Sequence, residues 1–324
     1  MAKQGRRILL TGATGQIGSE LVLEMRKRYG GENVIAVVHT RQPSKEVMES
    51  GPVVKADLAS EQAIHDLVRE MKITEIWHLA AILSVTGEDD PQSAWKVNTG
   101  SLCSVLEVAR KLKLEKVFWP SSIAVFGPTS PRIETPQDTV LVPTSMYGVT
   151  KVAGELLCNY YFIKYGLDVR SVRYPGIVSS ETPPGGGTTD YSVEMFYEAI
   201  QKGRYTCFVR EDTILPLMYM PDCINCTLQI MDAPRNKIKR HDGYNVAGAS
   251  FFAGELAAEV RKHIPDFEIE YKPDHRQKIA DSWPMSIDDR EARRDWGWQP
   301  SYDLSSMTED MITRLSKRLI NKGR

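Results

Sequence analysis

Hydrophobic positions along the 324-residue chain follow two rhythms. Short runs rich in β-branched and aromatic residues recur at "RRILLTG" (6–12), "NVIAVV" (33–38), "PVVKAD" (52–57), "EIWHLAA" (75–81), "EKVFWPSS" (115–122) and "DVRSVRY" (168–174), and each is a predicted strand. Between them, residues 17–29, 61–71, 94–112 and 147–165 carry apolar side chains at helical spacing. Strand and helix alternating this often predict an α/β fold with a doubly wound parallel sheet covered on both faces. Past about residue 175 the pattern turns irregular, with helical stretches near 190–202, 221–232, 252–263 and 303–321. The expected organisation is a sheet domain over 1–175 and a smaller C-terminal substrate-binding lobe over 176–324, their segments interleaved. The lobe is expected over the carboxyl edge of the sheet, where ligands of such folds bind.

Composition narrows the classes. Hydrophobic residues make up 42% of the chain, enough for a sizeable core. Lys plus Arg number 41 against 42 Asp plus Glu, a net charge of −1, so no overall field recruits nucleic acid or an anionic membrane. The N-terminus "MAKQGRR" passes directly into a strand without an apolar leader or span, which predicts a cytoplasmic protein. The five cysteines, Cys103, Cys158, Cys207, Cys223 and Cys226, are too scattered for a disulfide framework. Cys223 and Cys226 have C-x-x-C spacing but no second ligand pair, and they read as ordinary thiols on a helix; no metal site is expected.

The first strand ends in "TGATGQIG", which places Gly12, Gly15 and Gly18 at G-x-x-G-x-x-G spacing, with Gln16 and Ile17 opening the next helix. Glycines there permit a tight turn and let the backbone approach a pyrophosphate lying at the helix N-terminus. The position between first strand and first helix marks a Rossmann-type dinucleotide site rather than a generic turn. In such sites an acid about 20 residues further on binds the adenosine ribose. Here that count reaches Val38, followed by His39, Thr40 and Arg41. Arg41 could accept a 2′-phosphate, which leaves NADP open beside NAD; alternatively Arg41 is solvated and NAD binds through other contacts. Asp57 and Leu58, after the third strand, are placed to contact adenine.

Tyr147 and Lys151 in "YGVTK" stand four apart on one helix face. A nearby ammonium favours a phenolate, so Tyr147 is a candidate general base at neutral pH. His78, ending a buried strand, reads as a satisfied core histidine rather than a base.

The glycine turn, "HLAA" (78–81), "SSIAVFG" (121–127), Y-x-x-x-K and the closing "DWGWQPSYDL" (295–304) together resemble the extended short-chain dehydrogenase/reductase superfamily, which includes sugar-nucleotide epimerases and dehydratases. The resemblance spans essentially the whole chain. It implies an NAD-dependent oxidoreductase in which Ser122 and Tyr147 hydrogen-bond the reacting oxygen. By the same resemblance Lys151 binds the nicotinamide ribose and lowers the Tyr147 pKa; Ser121 has the alternative of capping backbone. Leu79, Ala80 and Ala81 fall on the family's cofactor-binding strand end, and Tyr174, Pro175 and Ile177 on the nicotinamide pocket.

A second glycine-rich stretch, "PPGGGTTDY" (183–191), lacks the lysine of a phosphate cradle and offers hydroxyls and backbone N–H groups suited to a small carboxylate or amino acid. Around it, "RYPGIVSSETPPGGGTTDYSVEMFYEAI" closely resembles short-chain-type L-threonine 3-dehydrogenases, and "GPTSPR", "LPLMYMPD", "GYNVAG" and "QKIADSWPMSIDD" resemble the same subfamily. That resemblance implies oxidation of L-threonine to 2-amino-3-oxobutanoate with hydride transfer to NAD, and Ser84, Thr188, Thr189 and Trp283 as groups gripping the amino and carboxylate ends. It also implies a homodimer through the helices at 94–112 and 147–165. The rival expectations are a sugar-nucleotide epimerase or dehydratase, and a non-catalytic NAD(P) sensor; intact Ser122, Tyr147 and Lys151 argue against the sensor.

Overall fold

The computed structural model describes residues 5–185 and 187–322. Its contacts divide the chain into two compact units, one of Met1–Ser122, Ser145–Arg173 and Ile224–Tyr244, the other of Ile123–Thr144, Tyr174–Cys223 and Asn245–Arg324. The segments interleave: residues 123–144 group with the second unit and 224–244 with the first. A buried cation contributes to that return. Arg170 Nη1 donates to the carbonyls of Ile230 (2.6 Å), Met231 (3.2 Å) and Ala233 (2.7 Å), and Tyr244 N donates to the Ser171 carbonyl (2.9 Å).

The first unit is Rossmann-type. In chain order it holds β1 (Ile8–Thr11), α1 (Gln16–Tyr29), β2 (Val34–Val38), α2 (Lys45–Glu49), β3 (Val53–Lys55), α3 (Glu61–Glu70), β4 (Glu75–His78), α4 (Ser84–Asp89), α5 (Pro91–Lys111), β5 (Lys116–Phe118), β6 (Ser121–Ser122), α6 (Met146–Tyr165), β7 (Val169–Arg170) and β8 (Val172–Tyr174). Six strands form one sheet in the order β3-β2-β1-β4-β5-β7, with every pairing parallel. The chain leaves β1 first toward β2 and β3, then crosses to β4 on the other side. That reversal opens a crevice at the carboxyl ends of β1 and β4, where Thr11 lies in register with His78. Apolar runs in β1, β2 and β4 are buried from end to end or nearly so, as a sheet covered on both faces requires. One layer of the core joins Leu9, Ile35 and Ile76 to Leu102, Val105 and Leu106 of α5. The two shortest helices, α2 and α4, are too brief to show a period and were not expected from the pattern.

The second unit contains β9 (Gly176–Val178), α7 (Tyr191–Lys202), β10 (Arg204–Cys207), β11 (Ile214–Tyr219), the start of α8 (Met220–Asp232), the end of β12 (Tyr244–Asn245), β13 (Ala249–Phe252), α9 (Ala253–His263), β14 (Glu268–Tyr271), α10 (Arg276–Ser282), α11 (Arg290–Trp296) and α12 (Leu304–Lys322). β11 runs between parallel β9 and antiparallel β13, while β10 pairs with β14. Asp222 near the start of α8 accepts from Ser301 N (2.9 Å) and Tyr302 N (3.0 Å), which ties "QPSYDL" to that helix. Cys223 and Cys226 are both buried on α8, and neither is in a disulfide.

Candidate active site

At the end of β1 the backbone turns so tightly that side chains are excluded. Gly12 has φ +72°, and a Cβ there would lie 2.7 Å from Ala80 N and 2.8 Å from the Leu79 carbonyl carbon. A Cβ at Gly18 would overlap the Gly12 carbonyl oxygen, and Gly15 N donates to that same oxygen at 2.9 Å. Gly15 caps α1 without a side-chain hydrogen bond, and the first turn, with Gln16 and Ile17, has no acidic residue. The positive end of the helix is therefore offered by backbone alone, which fits a pyrophosphate.

Farther along the edge, Val38 ends β2 opposite Lys55, and His39, Thr40 and Arg41 follow, all three exposed. Asp57 is also exposed, and its Oδ1 accepts from Ala59 N (3.0 Å), so the carboxylate helps shape the turn before α3 while Leu58 packs onto the core. Sequence reading missed Arg26. From α1 its guanidinium donates to the carbonyls of Val47, Pro52 (2.5 Å) and Val34 (3.2 Å) and to Ser50 Oγ (2.9 Å), pinning the segment that follows the ribose position.

At the end of β4, His78 lies between Thr11 Oγ1 (2.8 Å from Nδ1) and Ser101 Oγ (3.0 Å from Nε2). Burial, helped by the Lys151 charge, pulls it down to about 3, so it is a neutral, satisfied core residue. Thr11 also accepts from Leu79 N and Ala80 N, each at 3.3 Å. Beyond Ala81, Asn98 holds both polar groups of the Ile82 backbone (2.7 and 3.0 Å) and reaches Thr150 Oγ1 (3.2 Å). Ser84 then opens α4, half-buried.

Ser145 starts α6 by accepting from Gly148 N (3.1 Å). One turn carries Tyr147 and Lys151 inward, Lys151 buried and Tyr147 half-buried. The Tyr147 phenol hydrogen-bonds Ser122. Lys151 Nζ donates to the Pro120 carbonyl (2.5 Å) and lies 4.5 Å from the centroid of Trp119 and 5.4 Å from that of Tyr147. Gly154 is required nearby, because a Cβ would run into the Trp119 ring. One expectation is reversed: burial pushes Tyr147 up to about 12, against the pull of Ser122, and drags Lys151 down to about 7. Desolvation sets the direction of both shifts. Ser121 does not cap backbone; its hydroxyl donates to the Glu155 carboxylate (2.5 Å).

Tyr174, the last residue of β8, falls in the second unit, as does Ile177, which lies in β9 opposite Met218; both are buried. Gly186 lies outside the described residues. The flanking glycines bear on the expected carboxylate site: Asp190 Oδ2 accepts from Gly185 N (2.6 Å) and Gly187 N (2.9 Å), so the chain's own carboxylate takes those two donors. The expectation that they receive a ligand is corrected for these two groups. Thr188 is buried, and among the described residues its hydroxyl has no hydrogen-bond partner, whereas Thr189 packs against Gly176. Trp283 follows α10, buried, and its carbonyl accepts from Arg132 Nε (3.0 Å).

Residues 8–247 match the NAD dependent epimerase/dehydratase family. The chain belongs to that family. It is an NAD-dependent oxidoreductase, and the glycine turn described above fits the dinucleotide. The family member from Staphylococcus haemolyticus, an uncharacterized epimerase/dehydratase, is 46% identical over 98% of this chain and 99% of its own. Among solved structures, an L-threonine dehydrogenase from Cupriavidus necator in its holo form is 49% identical with a TM-score of 0.92, covering 95% of this chain and 99% of that one. A monomeric L-threonine 3-dehydrogenase of metagenomic origin is 48% identical with a TM-score of 0.91, covering 96% and 99%. Among the described residues, no helix is long and apolar enough to cross a membrane.

Proposed function

We propose that this family member is an L-threonine 3-dehydrogenase, converting L-threonine to 2-amino-3-oxobutanoate. The observation that carries the reading is similarity near 50% to L-threonine dehydrogenases over essentially the whole chain, the irregular C-terminal half included. Bound NAD supplies the hydride acceptor. Ser122 orients the substrate hydroxyl, and Tyr147, once it has given up its own phenol proton, takes the hydroxyl proton as phenolate while the C–H bond at the same carbon gives up its hydride. Lys151, fixed by the Pro120 carbonyl, supplies a positive charge beside the phenol and donors for the nicotinamide ribose. Gly12, Gly15 and Gly18 admit the pyrophosphate. Thr188, with its unmatched hydroxyl, is the strongest second-unit candidate for a substrate contact, ahead of Thr189 and Trp283.

Absorbance of the reduced nicotinamide, with L-threonine and either NAD or NADP, tests the assignment: growth with NAD supports it, and silence with both cofactors while a nucleotide sugar is converted returns the sugar-nucleotide reading. Tyr147→Phe should lower kcat by roughly 10²- to 10⁴-fold while NAD still binds.

The protein acts as a homodimer through α5 and α6. Val149, Leu156, Tyr160 and Ile163 form one exposed apolar stripe on α6, with Leu156 at 66% and Ile163 at 73% exposure, and Trp95 is exposed on α5. Sedimentation should give a dimer that Leu156→Glu converts to monomer; a monomeric parent protein would overturn this.

A further inference from the structure

One helical turn beyond Lys151 sits a carboxylate that the proposed reaction does not use. Glu155 is 2% exposed. Its Oε1 accepts from Ser121 Oγ at 2.5 Å, and its two oxygens take the Arg173 guanidinium side-on, Nε to Oε1 and Nη2 to Oε2, both at 2.8 Å. Pro120, Ser121 and Ser122 are consecutive. The first gives its carbonyl to Lys151, the second donates to Glu155, and the third hydrogen-bonds Tyr147. Three bonds thus fasten one tripeptide to positions 147, 151 and 155, which recur every four residues along one face of α6. A buried ion pair is weak evidence for stability, since its desolvation offsets much of its attraction. Its placement behind both halves of the catalytic pair points elsewhere.

We propose that Glu155, held by Arg173, is a positioning residue: it keeps the Pro120–Ser122 tripeptide in place against α6 and supplies the negative charge that supports the Lys151 ammonium. The proposal rests on the assignment of Tyr147, Lys151 and Ser122 as the reacting constellation, but not on the identity of the substrate.

The charges around the pair are few. Lys151 faces Tyr147, Glu155 and the Cys158 thiol on its own helix; burial holds that thiol protonated. From β4 it faces His78, which stays neutral, and from the β5–β6 link the Trp119 ring. Burial pushes the Glu155 carboxyl up while Arg173 and Ser121 pull it back, and Asp242, itself paired with Arg240 at 3.1 Å, adds a weaker upward push. Removing the Glu155 charge takes away the carboxylate that Arg173 Nε and Nη2 hold and that supports the Lys151 charge.

The test is an isotope-edited NMR titration of the lysine amines in the full-length protein without substrate, with Lys151→Arg identifying the signal. Glu155→Gln should move the Lys151 titration to lower pH by about one unit. Glu155→Asp should leave it within a few tenths of wild type. An unmoved Lys151 titration in Glu155→Gln overturns the proposal, whatever happens to turnover, and a failure to oxidise L-threonine leaves this readout intact. Should Glu155→Gln not fold, Ser121→Ala decides: both charges remain, so the Lys151 titration should hold while kcat falls by roughly fivefold on loss of one charge-assisted bond. An undiminished kcat in Ser121→Ala contradicts the positioning role.

Discussion

The two glycine-rich stretches of this chain are built on opposite plans. Between Gly12 and Gly18, glycine is required by what surrounds it: a left-handed φ at Gly12, the Leu79–Ala80 backbone against its α-carbon, and the Gly12 carbonyl against Gly18. The helix end behind that turn carries no capping side chain and no acidic residue, so its donors are left for a ligand. Around Gly185 and Gly187 the backbone is not crowded. The nearest atoms to an added Cβ belong to the Asp190 side chain, at 4.0 and 3.2 Å, and that carboxylate already holds both backbone N–H groups. The first loop admits an anion from outside, whereas the second is organised around one of its own. Glycine richness alone does not distinguish these cases; the partners of the N–H groups do.

The largest expected effect comes from filling the first loop. Gly12→Ala should weaken NAD binding by roughly a hundredfold or more and lower stability, since strain at a left-handed φ adds to a backbone overlap. NAD titration by fluorescence and thermal unfolding check both. Normal affinity would erase the distinction between the two loops.

An intermediate effect is expected from Asp190→Asn. Losing the charge weakens the hold on Gly185 and Gly187, so KM for L-threonine should rise about tenfold at an unchanged Kd for NAD. A change confined to NAD would assign the second loop to the cofactor instead.

Acid sensitivity belongs to the first region. The folded-state value of His78 is about 3 against 6.5 when unperturbed, so below 6.5 the unfolded chain binds a proton that the folded chain refuses. Stability should fall as pH drops from about 6.5 toward 3, by up to about 1.4 kcal/mol per pH unit from this residue. In His78→Gln that part of the slope should vanish from denaturant-unfolding curves; an unchanged slope would contradict the buried neutral assignment. The smallest effect is Gly185→Ala, expected to alter stability by no more than about 0.5 kcal/mol.

Much of the first region was legible because its signals are local. The strand and helix periods located the core elements of the sheet, and G-x-x-G-x-x-G with Y-x-x-x-K located the cofactor turn and the α6 pair. What sequence spacing did not carry was the balance of burial against charge: Tyr147 and Lys151 are four residues apart, yet their pKa values move in the directions set by desolvation. Partners distant in the chain were likewise hidden, as with Arg26 gathering the carbonyls of Val34, Val47 and Pro52, and Arg173 meeting Glu155. In the second unit the strands β9 to β14 are two to six residues long, too short for a period to stand out even where β10 and β14 alternate, so only the helices were apparent. Asp190 lies within "PPGGGTTDY", but its hold on the two glycines depends on backbone geometry that composition does not encode.

The most direct test of the central claim follows the hydride. L-threonine deuterated at its hydroxyl-bearing carbon, incubated with NAD and the protein, should give reduced nicotinamide carrying the label by mass spectrometry, with a product of the mass of 2-amino-3-oxobutanoate or its decarboxylated ketone, and Tyr147→Phe should suppress the transfer. Unlabelled reduced cofactor, or no reduction while the cofactor is bound, would contradict the assignment of this chain as an L-threonine dehydrogenase.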